Sequence, residues 1–530
     1  MTATPSVSAP PRVVLAMLLA AYLLPLVVPV PLMEDDEGLH AAIAIEMVER
    51  GDWTVPRLLG QPFLDKPILY FWMQAASLTV FGASEFAVRL PGTLMALAAI
   101  AATGWLAQVL FGAAVGRWAA LCYATMLLPY AVSLAPLHDL VMVPLVALAL
   151  GAFWCAHHAT STARVAGWTA AAGVVLGLSM LGKGLTGVGL IGVGMVTWMA
   201  WMRLWSVRLI VVAAVALVIG ALIAWPWYAA MEQASPGYLR YFIVDRHIGG
   251  VAGSEQRHAG RPIWYYVPVL VGGTWPWLFA ALKRPFRAAD VAERLVWSWL
   301  LADVALLTIA GSKLATYLLP AFPAVALLAG RAIAAGQVTS TWRWPLALTA
   351  VLPVVAVVYL ERVQGALPPG WLGVAAVLAP IGFLAWASSG SRPRRWAAPA
   401  GTLAVTALVL VAAALAVRPL VAAQLTARSL ADHMNRLGAM PSTLLIVDEG
   451  VGSFLFYLRA DLRRGLTPDR VQRISRFSLG DTRDHEGVLV AVAADRLDGV
   501  RQLYDLPVAA SSVPGSFHVV PFSQVRSKIR

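Results

Sequence analysis

Charge is what this chain has least of. Only 13% of its 530 residues are Asp, Glu, Lys or Arg, against 59% hydrophobic, with a mean hydropathy of +0.72. An ordinary soluble domain carries about 25% charged residues. A water-soluble fold of this size would therefore lack half of its polar surface, which excludes a soluble globular protein and a disordered chain alike. Cysteine is nearly absent as well. Cys122 and Cys155 both fall inside apolar runs, which excludes a disulfide scaffold and reads them as small buried hydrophobes rather than a bridge or a metal pair.

What the chain has in quantity is long apolar runs, recurring from near the N-terminus to about residue 418. That pattern is an all-α polytopic membrane protein. Windows of about 19 residues place thirteen transmembrane helices, over 13–32, 88–111, 116–134, 137–157, 165–182, 184–201, 208–230, 264–282, 294–311, 314–334, 343–360, 371–389 and 397–418. The first is as long as a full span and has no small-residue cleavage site after it, so it reads as retained.

The net charge of +12 suggests nucleic acid until it is sorted by loop. With the N-terminus inside, the cytoplasmic segments hold Arg12, Arg117, Arg164, Arg203, Arg208, Lys283, Arg284, Arg287, Arg294, Arg331, Arg343, Arg392, Arg394 and Arg395, opposed only by Asp290 and Glu293. The basicity is thus the positive-inside bias of a membrane protein, and no nucleic-acid partner is expected. An odd number of spans puts the tail from 419 onward outside, in the periplasm of a Gram-negative cell. Thr443–Val447 and Gly487–Val492 read there as buried strands, so the tail is expected to be a small C-terminal α/β domain of structural or acceptor-guiding role. Two outward loops, about 33–87 and 231–262, interrupt the bundle of residues 1–418. The first should carry amphipathic helices at Leu39–Arg50 and Pro67–Phe81, with Tyr70, Phe71 and Trp72 at the membrane interface.

Charges in or beside spans are costly and so are functional candidates. Asp35, Asp36 and Glu37 follow span 1, Asp139 opens span 4, Lys183 separates spans 5 and 6, and Lys313 separates spans 9 and 10. All map to the outward ends, on a topology fixed by different residues. Carboxylates there can act as a general base or organise an acceptor, and lysines suit a phosphate as compact point charges. The bland alternatives are a solvated acidic loop capping the next helix and, for Lys183, a lysine snorkelling from a helix end. Asp303 lies mid-span and reads as a satisfied buried polar group.

Several motifs, in order, resemble one family. Asp36-Glu37, Glu46-Met47, Gly51-Asp-Trp-Thr-Val-Pro56, Asp65-Lys66-Pro67 and Phe81-Gly82 are followed by Gly182-Lys183-Gly184, Tyr241-Phe242, Arg246-His247, Gly260-Arg-Pro262 with Trp264-Tyr-Tyr266, and Ser312-Lys313 with Tyr317 and Pro320. Over residues 12–335 this resembles the aminoarabinose (undecaprenyl phosphate-sugar) transferases, a GT-C branch related to protein O-mannosyltransferases. The family carries Arg-Tyr where this chain has Leu39-His40, and Glu-Lys-Pro at Asp65–Pro67. The resemblance implies a GT-C fold and an inverting transfer of sugar from a polyprenyl phosphate donor to a lipid or glycan acceptor. It implies Asp36 and Asp139 as catalytic acids, and Glu37, Lys66, Lys183, Arg246, His247, Lys313 and Tyr317 around the donor and its phosphate. A divalent metal ion could then sit at Asp65 and His258. A monomer is expected, in the bacterial inner membrane, its site facing the periplasm. The chemistry needs fixed cations for the leaving phosphate; a hydroxyl acceptor would need Asp36 as base, a phosphate acceptor would not. A protein O-glycosyltransferase and a lipid-linked sugar transporter remain alternatives, although thirteen spans do not divide into equal repeats and the charges gather at one face rather than the midplane.

Overall fold

The computed structural model describes residues 12–249, 260–284, 290–338, 397–412, 414–415, 418–481, 487–507, 511–513 and 517–528. The expected spans at 343–360 and 371–389 and the Arg392–Arg395 loop lie outside the described residues. Two compact units form. One comprises Met1–Val28, Asp65–Tyr70 and Gly92–Ala416; the other comprises Pro29–Leu64, Phe71–Pro91 and Val417–Arg530. Most of the first outward loop therefore folds with the C-terminal region, not with the bundle to which the apolar runs assigned it.

Ten helices occupy the first 234 residues among those described: α1 (Arg12–Val27), α2 (Asp36–Arg50), α3 (Leu69–Phe81), α4 (Glu85–Phe111), α5 (Ala113–Ala124), α6 (Leu127–Ser133), α7 (Asp139–His158), α8 (Thr162–Lys183), α9 (Leu185–Met202) and α10 (Val207–Ala234). Six described helices are long and apolar enough to cross a membrane: α4, α7, α8, α9, α10 and Ala315–Ala334. The protein is thus a multi-pass helical membrane protein.

In the first unit α7 is central and α10 peripheral. Val207, Val218, Leu222 and Trp225 on α10 are more than half exposed, the apolar outer face of a helix that meets lipid. Its inner face packs on α8 through small residues. A Cβ on Gly173 would stand 2.6 Å from Ile219, and one on Gly177 would stand 3.0 Å from the Gly220 carbonyl, the close approach that a small-xxx-small stripe permits.

Two expected spans are not continuous. Residues 116–134 break between α5 and α6, and 264–282 break between Tyr266–Gly273 and Leu278–Ala281. The two breaks share a hydrogen bond, from the indole N–H of the fully buried Trp277 to the Thr125 hydroxyl at 2.8 Å. The Thr125 hydroxyl also donates to the Leu121 carbonyl at 2.8 Å. Irregular backbone at this depth survives because protein groups replace the missing helical bonds, something hydropathy alone does not register.

In the second unit β3 (Thr443–Val447), β4 (Val471–Ile474), β5 (Val488–Ala493), β7 (Ser511–Val513) and β8 (Phe517–Pro521) form one sheet in the order β4-β3-β5-β8-β7. The pairs of β3 with β4 and with β5 are parallel, and β8 is antiparallel to β5. Hairpin β1 (Arg57–Leu58)–β2 (Gln61–Pro62) and the pair β6 (Tyr504–Asp505)–β9 (Arg526–Ser527) are small additions. Val447, Val490 and Val492 are fully buried, as continuous apolar runs in a covered parallel sheet should be. Tyr70 and Phe71, expected at the interface, are also fully buried. Their rings pack on His138 and His40, with centroids 5.0 and 5.7 Å apart respectively, because each lies within the core of its own unit.

Candidate active site

The densest charged cluster of the first unit gathers at helix ends. Asp139 opens α7 and Lys183 closes α8. The Lys183 ammonium is hydrogen-bonded to Asp139 Oδ1, and both side chains are only 14% exposed. Thr316 donates its hydroxyl to Asp139 Oδ2 at 3.2 Å, and the Lys183 Nζ lies 4.1 Å from the centroid of the Tyr317 ring. Both carboxylate oxygens are therefore used, and the ammonium is fixed by an ion pair and a ring face together. A part-buried pair of this kind orients its members more than it stabilises the fold, because desolvation offsets most of the attraction.

Gly184 makes the turn possible. Its φ of +64° lies in the region that favours glycine, and a Cβ there would stand 2.5 Å from the His247 ring. His247 donates from Nδ1 to the Phe242 carbonyl at 2.6 Å and accepts the Leu185 backbone N–H at Nε2, 3.2 Å away. Nε2 also lies 3.3 Å from the Lys183 carbonyl. The run Gly182-x-Gly184-x-x-Gly187 has the glycine spacing of a dinucleotide fingerprint, yet it joins helix to helix with no strand before it, so the mechanism of that motif does not apply.

The Asp65–Lys66 segment contributes the rest. Asp65 Oδ1 accepts the Tyr241 hydroxyl at 2.6 Å and faces Arg246 Nε at 3.6 Å. Tyr241 and Arg246 lie on the π-helical stretch Tyr241–Ile248, whose wider turn is a frequent mark of functional segments. Burial holds the pKa of Lys66 below the ordinary lysine value; the Lys183 and Arg246 charges push it the same way, and Asp139 and Asp65 oppose them. Lys66, Lys183 and Arg246 against Asp139 and Asp65 leave the cluster one positive charge in excess, suited to an anion.

The other expected residues are placed differently. Lys313 is buried, and its ammonium donates to the Ala310 carbonyl at 2.8 Å, a helix-end bond. Asp303 is fully buried, and its Oδ2 accepts the Trp299 indole N–H at 3.0 Å. Asp36 and Glu37 belong to the second unit. Glu37 is 4% exposed; it pairs with Arg89 at 2.6 Å and Arg418 at 3.6 Å and accepts the Met33 N–H at 2.8 Å. Its oxygens are committed within the protein, where a substrate-binding acid was expected. Asp36, next to it, is exposed at the first turn of α2. For the expected metal site, Asp65 is engaged by a hydroxyl and a guanidinium, and His258 lies outside the described residues. Among the described residues no group of three or more metal-ligating side chains gathers.

A family model described as dolichyl-phosphate-mannose-protein mannosyltransferase matches residues 65–228. An undecaprenyl phosphate-α-4-amino-4-deoxy-L-arabinose arabinosyl transferase from Aeromonas salmonicida is 30% identical over 409 residues, covering 71% of each chain. The chain belongs to this arabinosyl transferase family. Members from Edwardsiella ictaluri and Erwinia tasmaniensis are 31% and 32% identical, each over 58% of this chain; the chain spans 57% and 56% of their lengths in these matches. The crystal structure of ArnT from Cupriavidus metallidurans bound to undecaprenyl phosphate has the same fold, with a TM-score of 0.75, 21% identity, and 96% of this chain and 97% of that one covered.

Within this chain, sequence reasoning overlooked Thr316 as a partner of Asp139 and Tyr241 as a partner of Asp65. Thr316 sits between Lys313 and Tyr317 in a segment already singled out, and Tyr241 within a quoted motif. Neither hydroxyl carries a charge that would mark it as costly in a membrane.

Proposed function

We propose that this protein transfers a sugar from a polyprenyl phosphate donor to an acceptor of the cell envelope, with inversion at the anomeric carbon. The bond from that carbon to the phosphate oxygen breaks, the phosphate leaves with the electron pair, and an acceptor oxygen takes its place. Lys66, Lys183 and Arg246 neutralise the leaving phosphate; Asp139, Thr316 and Tyr317 hold the Lys183 ammonium in position. Asp36 receives the acceptor proton when the acceptor is a hydroxyl. His247 fixes the turn between α8 and α9 and so sets where Lys183 stands. The observation that carries this reading is the immobilised Lys183 ammonium in a cluster with one excess positive charge. Such fixed charge stabilises a leaving phosphate without reorganising during the reaction.

The acceptor is a lipid A-type glycolipid and the sugar 4-amino-4-deoxy-L-arabinose, the sugar named in the curated relatives. The site faces the periplasm from the inner membrane, as the arginine-rich inner loops require. The test is to incubate the purified chain with the undecaprenyl phosphate-linked sugar and extracted lipid A. Mass spectrometry should find the sugar on lipid A and free undecaprenyl phosphate; donor consumed with neither product would overturn the reading. The mannosyltransferase model over residues 65–228 favours a second reading, transfer to protein hydroxyls, for which the same assay with periplasmic protein as acceptor would show glycosylated serine or threonine.

A further inference from the structure

Asp36 is exposed, yet the chain on either side of it is held hard. Two residues before it, the Glu34 backbone N–H donates to the Leu425 carbonyl at 2.7 Å. The Glu34 carboxylate accepts at Oε1 from the Ser453 backbone N–H, with the Ser453 hydroxyl also bonded to it. Its Oε2 is buried without a hydrogen-bond partner, against Gly450, where a Cβ would stand 2.3 Å away. Two residues after Asp36, Gly38 meets Gly452 backbone to backbone. A Cβ on Gly38 would stand 2.4 Å from the Ser453 nitrogen, and one on Gly452 would stand 2.2 Å from the Leu39 nitrogen. Gly450, Gly452 and Ser453 all belong to the segment that leaves the carboxyl end of β3 and enters helix Gly452–Tyr457.

We infer that the segment following β3 positions Asp36: Glu34 and the Gly38–Gly452 contact clamp the first turn of α2 on both sides of the carboxylate. The inference rests on the role proposed above for Asp36. Glu34 is a positioning residue, acting through the backbone that carries Asp36. Its charge is not what the clamp uses. Burial, with Asp35 and Glu449 nearby, pushes the Glu34 carboxyl up to about 7, so the environment disfavours the anion while keeping the acceptor oxygen. Glutamine, which keeps a carbonyl oxygen at Oε1 in the same shape, can therefore serve, and alanine cannot.

The experiment compares full-length Glu34→Ala, Glu34→Gln, Gly452→Ala and Asp36→Asn with wild type, each reconstituted in lipid and assayed with the undecaprenyl phosphate-linked sugar. Displacement of a reacting group by about 1 Å can cost as much as a hundredfold. Glu34→Ala and Gly452→Ala should therefore lose about tenfold or more in kcat per folded molecule, with KM for the donor unchanged, since no part of the clamp belongs to the cation cluster. Glu34→Gln should restore kcat to within about threefold, the range of a near-neutral hydrogen-bond exchange. Where Glu34→Ala fails to fold, the contrast between Glu34→Gln and Gly452→Ala decides in its place. Wild-type kcat in the folded alanine variants, beside an inactive Asp36→Asn, would overturn the clamp alone. An Asp36→Asn enzyme with wild-type kcat would overturn the role of Asp36 itself. A Glu34→Gln loss as large as that of alanine would also overturn the clamp as described, because a charge and not an acceptor oxygen would then be essential.

Discussion

Lys183 and Asp36 are both charged residues at helix ends, and the protein treats them in opposite ways. The ammonium of Lys183 is spent locally, on Asp139 and on the face of Tyr317, so its position is set by direct bonds. Asp36 stands exposed at the first turn of α2, and the acids flanking it carry the bonds instead: Glu34 to Ser453, Glu37 to Arg89 and Arg418. A group that must hold charge opposite a phosphate is best fixed in advance by partners of its own. A group that must accept a proton needs its oxygens open, so its place is fixed through its backbone. The two regions thus meet the same demand for preorganisation by different means, one with side-chain bonds and the other with the chain around the side chain.

That contrast can be broken experimentally, most severely at Asp36. Asp36→Asn removes charge without volume, and loss of a general base costs about a hundred- to ten-thousandfold. Turnover of the purified, folded variant should fall by at least that lower figure, and retention of more than about a tenth would show that an open carboxylate is not required. Next come the lysines. Each charge-assisted bond contributes about 1.5–3 kcal/mol, so Lys66→Ala and Lys183→Ala should each lose roughly ten- to a hundredfold in kcat/KM, visible as weaker binding of polyprenyl phosphate. Equal donor affinities in both variants and wild type would remove the cluster from the phosphate site.

The same pair separates bonding from stability. Lys183→Ala leaves Asp139 as a mostly buried acid without its cation, which is strongly destabilising, whereas Asp139→Asn combined with Lys183→Met removes both charges. The double variant should melt above Lys183→Ala while binding donor no better. A double variant melting below the single would mean that the pair is not what Asp139 depends on.

Two pH effects should be smaller, alike in origin and opposite in direction. The pKa of Lys66 is lowered, chiefly by burial, so the ammonium is present at low pH and is lost as pH rises through a value below that of ordinary lysine. Donor affinity should weaken over that alkaline range, and Lys66→Arg should flatten the profile, since arginine does not titrate there. Glu34 is raised from 4.5 to about 7. A carboxyl shifted upward contributes stability below its unfolded value that is lost as pH rises through the folded one. Melting curves of Glu34→Gln and wild type should therefore converge near pH 4 and separate by pH 8, with the glutamine variant the more stable; a separation only at acid pH would reverse the sign and refute the burial argument.

Legibility in the sequence followed the cost of each residue. Lys183 and Asp139 could be found because a charge beside an apolar run is expensive, and Gly182-Lys-Gly184 because glycines around a lysine are informative about backbone. Thr316 and Tyr241 could not, since hydroxyls are cheap in a helix and mark nothing. Glu37 and Lys313 show the other side of that cost. They are as costly as Lys183, but cost shows only that a charge has a partner, and here the partners are Arg89, Arg418 and the Ala310 carbonyl. The interrupted spans at 116–134 and 264–282 were hidden because hydropathy measures what a segment faces and not whether its backbone bonds are continuous.

What the sequence determined by itself was the membrane and the family. Each depends on composition or on residues close together in the chain: apolar length, and motifs a few residues long. What only the tertiary structure decided was which charges meet. Asp139 lies 44 positions from Lys183 and 177 from Thr316, and Glu34 lies 419 positions from Ser453. Pairings of that range have no local signature, because the energy that selects them comes from packing whole helices and a sheet, which brings the partners together only after the chain has folded.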